Sequence, residues 1–301
     1  MNDVNIIITY KCNLYCKHCY MNAGNNYYEN SDKIFQKFKI TIDKLQDLGI
    51  KKIMITGGEC TVSSNLIKML EYCKRKGMIT SIFTNGMILN KKICNYVDDY
   101  NLSIDGLENY HNDIRGNIHA YKNALQTINY LQSNNKNVTV QMTVTRQNIN
   151  QVVSTLDMLR TYGIKKVNLC CLLDDGRSIE NNLDSNINIV ELREIIKRVY
   201  RKTCYNLIIH ANIFDNFSTN TFLKTKSIYF PLWIDLINNS FYLVKDNSAF
   251  SLKLEELSEK NIDRLNKKIN DCISNNLNDL LKKGNYVLEN EIIKLLSRGD
   301  D

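Results

Sequence analysis

No stretch of this 301-residue chain approaches the roughly 20 consecutive apolar residues that a membrane-spanning helix needs. Nor does Met1-Asn2-Asp3 open on the positive start and apolar run of a secretory signal, because strand-like residues begin at once. Together these absences argue against a membrane protein and lead us to expect a cytoplasmic one. No block of like charge exists either: the net charge of +7 is spread along the chain, which reads as a solvated surface. Attraction to an acidic substrate or partner is the other reading of that charge, and nucleic acid is not indicated. Pro231 is the only proline, and no internal repeat is visible. With 44% hydrophobic and 24% charged residues the composition is that of a folded domain, which excludes disorder. What the chain does have is ten cysteines. In an intracellular setting these stay mostly reduced, so a disulfide framework is not expected and metal or redox chemistry becomes the question.

Short β-branched runs alternate with amphipathic stretches over the first two thirds, the pattern of βαβ units on a parallel sheet. Strands are expected at Val4 to Thr9, Lys52 to Thr56, Thr80 to Thr84, Asn101 to Asp105, Val138 to Thr145 and Lys166 to Leu172. Leu66, Met69, Leu70 and Cys73 share one helical face, as do Tyr121, Ala124, Leu125 and Ile128, and Gly77 suits a helix C-cap. The fold class expected is α/β, a partial (β/α)6 TIM-like barrel whose active face lies at the strand C-termini. A core of residues 1–203 is then followed by a small C-terminal α+β appendage over 204–301, with a hairpin from Trp233 to Leu243 turning at Asn238-Asn239. On the fifth strand Gln141, Thr143 and Thr145 alternate with apolar residues. Barrel strands carry helices outside, so this polar row is expected to face inward and line a pocket, a solvated outer row being the alternative.

Directly after the first strand, Cys12, Cys16 and Cys19 place three thiols within eight residues. Three thiolates on one short loop can hold three irons of a cuboidal iron–sulfur cluster and leave the fourth free for an external chelate. Zinc is the rival, but structural zinc uses four ligands in paired C-x2-C knuckles, and no second knuckle follows. After the second strand comes Thr56-Gly57-Gly58-Glu59, in which two missing side chains permit close backbone approach and the carboxylate can accept from an ammonium.

This C-x3-C-x2-C loop at the end of an N-terminal strand, followed by Gly57-Gly58-Glu59, resembles the radical S-adenosylmethionine (SAM) superfamily. Further along, Thr84-Asn85-Gly86, Leu102-Ser103-Ile104-Asp105-Gly106, His111 and Arg115-Gly116 resemble the branch with a SPASM or twitch C-terminal domain. The resemblance implies one 4Fe-4S cluster on Cys12, Cys16 and Cys19 and SAM as cofactors. SAM contacts are then expected from His18, Gly57, Gly58, Glu59, Asn85, Ser103, Arg115 and Thr143, with Asp105 shaping the substrate side. His18 stands where the family usually has an aromatic, and a ring merely packed beside the cluster is its plainer reading. Cys60 replaces the family's usual proline.

Asp174-Asp175-Gly176-Arg177 and Phe230 to Asp235 continue the resemblance, but after Cys171 only Cys204 and Cys272 remain. We therefore expect a degenerate C-terminal domain and no auxiliary cluster. Cys60, Cys204 and Cys272 are candidate hydrogen-atom donors, with buried packing cysteines the alternative.

The resemblance implies an enzyme of oxidoreductase or epimerase type. It would cleave SAM reductively to a 5′-deoxyadenosyl radical and abstract hydrogen from a substrate, with electrons from a donor such as flavodoxin or ferredoxin. A ribosomally made peptide is the expected substrate, through maturation, epimerisation or cross-linking. A sugar or aminoglycoside epimerase or dehydrogenase is the alternative, and a non-catalytic iron–sulfur protein the alternative of another class. Because the chain starts at the first strand, a separate partner is expected to present any leader peptide.

Overall fold

The computed structural model describes residues 3–24, 26–173, 175–184, 194, 208–211, 232–242 and 251–275. Six strands follow one another with helices between them, a 3-10 turn over Lys91–Asn95 standing in for a helix between the third and fourth: β1 Asp3–Ile7, α1 Ser31–Asp47, β2 Lys52–Thr56, α2 Leu66–Arg75, β3 Ile79–Thr84, β4 Asp99–Ser103, α3 Glu108–Arg115, α4 Ala120–Ser133, β5 Asn137–Val144, α5 Val152–Thr161 and β6 Lys166–Cys171. A short helix, α6 Arg177–Glu180, comes next, then β7 Ile208–Ala211, β8 Leu232–Asp235, β9 Ser240–Tyr242 and β10 Ser251–Lys253. All six expected strands are present, shifted by a few residues at their ends.

Local chemistry sets the helix limits. The Asn30 side chain accepts from Lys33 N at 3.0 Å and caps α1, whose Ile34, Phe38, Ile42 and Leu45 are buried along one face. Leu66, Met69, Leu70 and Cys73 of α2 are buried as their spacing requires, and Gly77, at φ +69°, ends that helix.

The strands form one open sheet in the order β10-β9-β8-β1-β2-β3-β4-β5-β6-β7. Every pairing from β8 through to β7 is parallel, and β9 and β10 are antiparallel. The hairpin turns at Asn238-Asn239 as expected, with Trp233 opposite Tyr242. Strands from beyond residue 203 thus extend both edges of the sheet: β8 pairs with β1, and β7 with β6. Edge strands carry unpaired backbone groups, and these additions satisfy them.

The two faces differ. Val4, Ile6, Ile53, Ile55, Leu102, Val140 and Met142 pack with Phe38, Met69, Ile128 and Leu156 in the helix-side core. The opposite face carries Ile7 and the polar residues of the alternation, so the row on β5 does point away from the helices, with Thr139, Gln141 and Thr143 only half-buried. There Asn101 Nδ2 donates to Ser81 Oγ at 2.8 Å, Gln141 Nε2 donates to Asn101 Oδ1 at 2.8 Å, and Cys170 Sγ lies 3.5 Å from Gln141 Oε1. Among the described residues no helix is long and apolar enough to cross a membrane.

Candidate active site

Beyond β1 the chain runs through Thr9–Lys11 into the cysteine loop, which is closed at its base by Cys12 N donating to Gly24 O and Gly24 N donating to Tyr10 O, both at 3.1 Å. Cys12 and Cys16 are buried, Cys19 is half-buried, and Ile7, Leu14, Met21 and Ala23 pack around them with Trp233 at the margin. Donors point at the sulfurs: Leu14 N lies 3.4 Å and Asn85 Nδ2 3.9 Å from Cys12 Sγ, and Arg115 Nη1 lies 3.9 Å from Cys16 Sγ. Burial pushes the Cys12 thiol up to about 12 and also raises Cys16, which the Arg115 guanidinium partly offsets. Thiols of this kind give up their protons to a metal centre, and the donors around them suit thiolate sulfur. Among the described residues no three of the His, Cys, Asp and Glu side chains converge on a single ion.

The turn after β2 is pressed against this loop. A Cβ on Gly57, which sits at φ +141°, would lie 2.2 Å from Thr9 O, and one on Gly58 would lie 2.3 Å from Lys11 O. Gly58 N donates to Thr9 O and Glu59 N to Lys11 O, both at 2.8 Å. The glycines therefore admit the chain's own backbone, and not only a ligand as the sequence suggested. Glu59 is fully buried, and its carboxylate accepts from Thr61 N at 3.1 Å, Thr61 Oγ1 at 2.7 Å, Thr84 Oγ1 at 2.8 Å and Asn85 N at 2.7 Å. Burial raises its pKa against these donors. Glu59 thus ties the end of β2 to the end of β3, while Asn85 Nδ2 reaches Asn13 Oδ1 at 2.8 Å in the cysteine loop.

Asp105, after β4, is the electrostatic hub. Its Oδ2 accepts from Arg115 Nε at 2.7 Å and lies 3.7 Å from His18 Nε2, and its Oδ1 accepts from Thr143 N at 3.0 Å. Burial alone would raise its pKa, but Arg115 and the two histidines outweigh it and hold the group well below the usual carboxylate range. Burial lowers His18 to about 4 and His111 to about 3, leaving both neutral at pH 7. His111 Nδ1 accepts from Asp105 N at 3.1 Å, which places its proton on Nε2. Ser103 is half-buried, in register with Gln141, and its hydroxyl has no hydrogen-bond partner among the described residues.

A family model described as the Radical SAM superfamily matches residues 6–159, just over half of the 301, and covers all three of these strand ends. The chain belongs to the radical SAM superfamily. Membership brings a 4Fe-4S cluster and SAM as cofactors. Over 201 residues the chain is 26% identical to the Fe-coproporphyrin III synthase of Methanosarcina barkeri, covering 65% of this chain and 50% of that protein. Over 177 residues it is 28% identical to the antilisterial bacteriocin subtilosin biosynthesis protein AlbA of Bacillus subtilis, covering 56% of this chain and 39% of that protein. The chain therefore spans half or less of the length of these relatives. Streptococcus suis SuiB bound to S-adenosylmethionine shares the fold, with a TM-score of 0.71 at 16% identity over 90% of this chain and 70% of that one.

Within this radical SAM chain the structure brings together Cys12, Cys16, Cys19, His18, Glu59, Asn85, Asp105 and Arg115, while Ser103 and Thr143 lie on the adjoining face. Cys60 is the exception. It is fully buried in the helix-side core, its Sγ 3.2 Å from Phe83 O, and so does not suit a hydrogen-atom donor to a substrate on the opposite face. Cys204 lies outside the described residues, and Cys272 falls in the helix Glu259–Asn275.

Sequence reasoning named two other participants within resembling stretches but gave neither of them a role. Asp235 of β8, 2% exposed, accepts from Tyr10 OH at 2.7 Å and joins the hairpin to the start of the cysteine loop. Arg177 is buried behind that loop. Its signal in the sequence was the stretch Asp174-Asp175-Gly176-Arg177 after the sixth expected strand, which continued the resemblance without showing what the arginine holds.

Proposed function

We propose that Cys12, Cys16 and Cys19 hold the cluster, that SAM binds beside them over the sheet face opposite the helices, and that the enzyme removes hydrogen from a peptide. When bound and reduced, this cofactor pair supplies methionine and a 5′-deoxyadenosyl radical. The observation that carries the reading is the set of three thiols on one loop, with N–H donors directed at two of the sulfurs, beside a face lined by Ser81, Asn101, Gln141 and Cys170. The chain's own residues hold and orient. Glu59 and Asn85 fix the rim next to Cys12, Arg115 sets a positive charge at Cys16, and the Ser103 hydroxyl, without a partner among the described residues, is available to a ligand. Neutral amides and hydroxyls along the face suit the amide groups of a peptide.

The similarity to AlbA supports a peptide substrate. The similarity to Fe-coproporphyrin III synthase supports a second reading, in which the substrate is a small molecule. Residues 1–203 carry the core in either case, and 204–301 form the reduced appendage whose strands share its sheet. Electrons come from a one-electron donor protein such as flavodoxin or ferredoxin.

The test is anaerobic reconstitution followed by reduction with dithionite, with 5′-deoxyadenosine measured by chromatography. Product in the presence of SAM is expected, and none despite a full cluster would overturn the enzymatic reading. Stimulation by candidate precursor peptides, and not by porphyrins or sugars, separates the two substrate classes. Turnover in heavy water then reports the reaction, since deuterium gain marks epimerisation and loss of hydrogen marks dehydrogenation or cross-linking.

A further inference from the structure

Arg177 comes from the far end of the core, 161 residues beyond Cys16, yet among the described residues both of its side-chain hydrogen bonds go to the cysteine loop. Its Nε donates to Cys16 O at 2.8 Å, its Nη2 to Ala23 O at 2.8 Å, and its backbone N to Cys19 O at 3.0 Å. The guanidinium also lies over the Tyr15 ring, with Cζ 3.9 Å from the ring centroid. Gly176 makes this approach possible: its φ is +56°, and a Cβ there would lie 2.5 Å from Cys19 O and 2.9 Å from Asn22 Oδ1. One helical turn on, Asn181 Nδ2 donates to Lys17 O at 3.3 Å. Every one of these hydrogen-bond acceptors is a main-chain carbonyl between residues 16 and 23, so the hydrogen bonds follow the path of the loop, while Tyr15 adds a side-chain contact.

The charge is as telling as the geometry. Arg177 is 2% exposed, and among the described residues no carboxylate pairs with it. A buried cation without a counter-charge is costly unless an anion is present for part of the cycle. A cube held by three thiolates is such an anion, more so once reduced, and net charge and hydrogen bonding are what set cluster potentials.

We propose that Arg177 is a positioning residue with two separable jobs: its fork pre-shapes the cysteine loop before any iron arrives, and its fixed charge favours the reduced cluster. The second job rests on the cluster assignment above; the first does not. Lysine keeps the charge but cannot bridge Cys16 O and Ala23 O as a planar fork does, and this difference separates the two.

The experiment compares wild type, Arg177→Lys and Arg177→Gln. In the iron-free chains, hydrogen exchange at the Cys12, Cys19 and Gly24 amides should speed up roughly tenfold or more in both variants, the scale of one lost charged hydrogen bond. Amides of β2 and β3 should stay protected, which shows that the fold survives. After reconstitution, release of iron to a chelator should be roughly 10–100-fold faster in both variants. In the fraction that retains the cluster, potentiometric titration followed by electron paramagnetic resonance should show a more negative midpoint for Arg177→Gln, with Arg177→Lys close to wild type. Unchanged loop exchange in both variants overturns the strut. A midpoint unchanged in Arg177→Gln, or shifted equally in both, overturns the charge role. If wild type takes up no iron the cluster assignment fails, and the exchange data still decide the strut. Should Arg177→Gln fail to fold, Gly176→Ala serves, since its Cβ must push the loop from Cys19 O while Arg177 stays in place; wild-type loop exchange in it overturns the strut.

Discussion

Asp105→Asn is the sharpest test of how this site is built. Asp105 and Arg115 form a buried ion pair at 2.7 Å, with the carboxylate side chain 1% and the guanidinium 11% exposed. Asparagine keeps an oxygen for Thr143 N but removes the negative charge, leaving the Arg115 cation facing only the Cys16 sulfur. Removing one partner of a buried pair costs about 3–5 kcal/mol. At roughly 2–4 °C per kcal/mol for a chain of this order, the iron-free protein should lose about 6–20 °C of melting temperature. The pair is the cause only if the losses are non-additive, so Asp105→Asn with Arg115→Met should cost clearly less than the sum of the single changes. Circular dichroism melts of iron-free protein at pH 7 provide the measurement. The pH dependence has a definite sign. Because the Asp105 pKa is depressed in the folded state, its contribution is fully present above the ordinary value of 3.8 and is lost only as the pH falls through the lower folded value. The gap between wild type and Asp105→Asn should therefore be flat from neutrality down to mild acid and close only in stronger acid. A shift under about 2 °C at pH 7, or a gap that closes between pH 7 and 5, would refute the reasoning.

Alanine at Cys12, Cys16 or Cys19 should abolish the brown absorption near ~400 nm expected of such a cluster, and unchanged iron in all three would remove them as ligands. Glu59→Gln should leave iron content intact and weaken SAM binding, measured by equilibrium dialysis. It should also cost the iron-free chain roughly 1–3 kcal/mol, because the amide presents a donor to Asn85 N or to the Thr61 and Thr84 donors. Weaker SAM binding with no loss of stability would mean that Glu59 acts on the ligand alone. Gly58→Ala forces a Cβ to within 2.3 Å of Lys11 O, so the approach to Cys12 must shift. Reconstituted iron should fall while far-ultraviolet circular dichroism stays native, and full iron loading would show that the contact is dispensable.

Several elements could be read from residue order because their causes are local. The strand alternation, the helical stripes of Leu66 to Cys73, the Asn238-Asn239 hairpin turn and the three-cysteine loop each depend on spacings of a few residues. The inward polar row on β5 followed from one further rule, that helices cover the outside of such a sheet. Other matters involved residues far apart in the chain. Cys60 adjoins Glu59 in sequence yet belongs to the helix-side core, because the 3-10 turn over Cys60–Val62 carries it there. Glu59 looked free to meet a ligand until β3 brought Thr84 and Asn85 to its carboxylate.

By itself the sequence determined the family, the parallel βα order and the thiols that define the chemistry, since each is written in short-range spacing. Only the tertiary structure decided what surrounds those thiols. Pairing β8 to β1 set Asp235 against Tyr10, and closing the turn after β6 drove Arg177 into the loop. A buried donor's partner depends on which strand ends become neighbours, and sheet order settles that across intervals no local pattern spans.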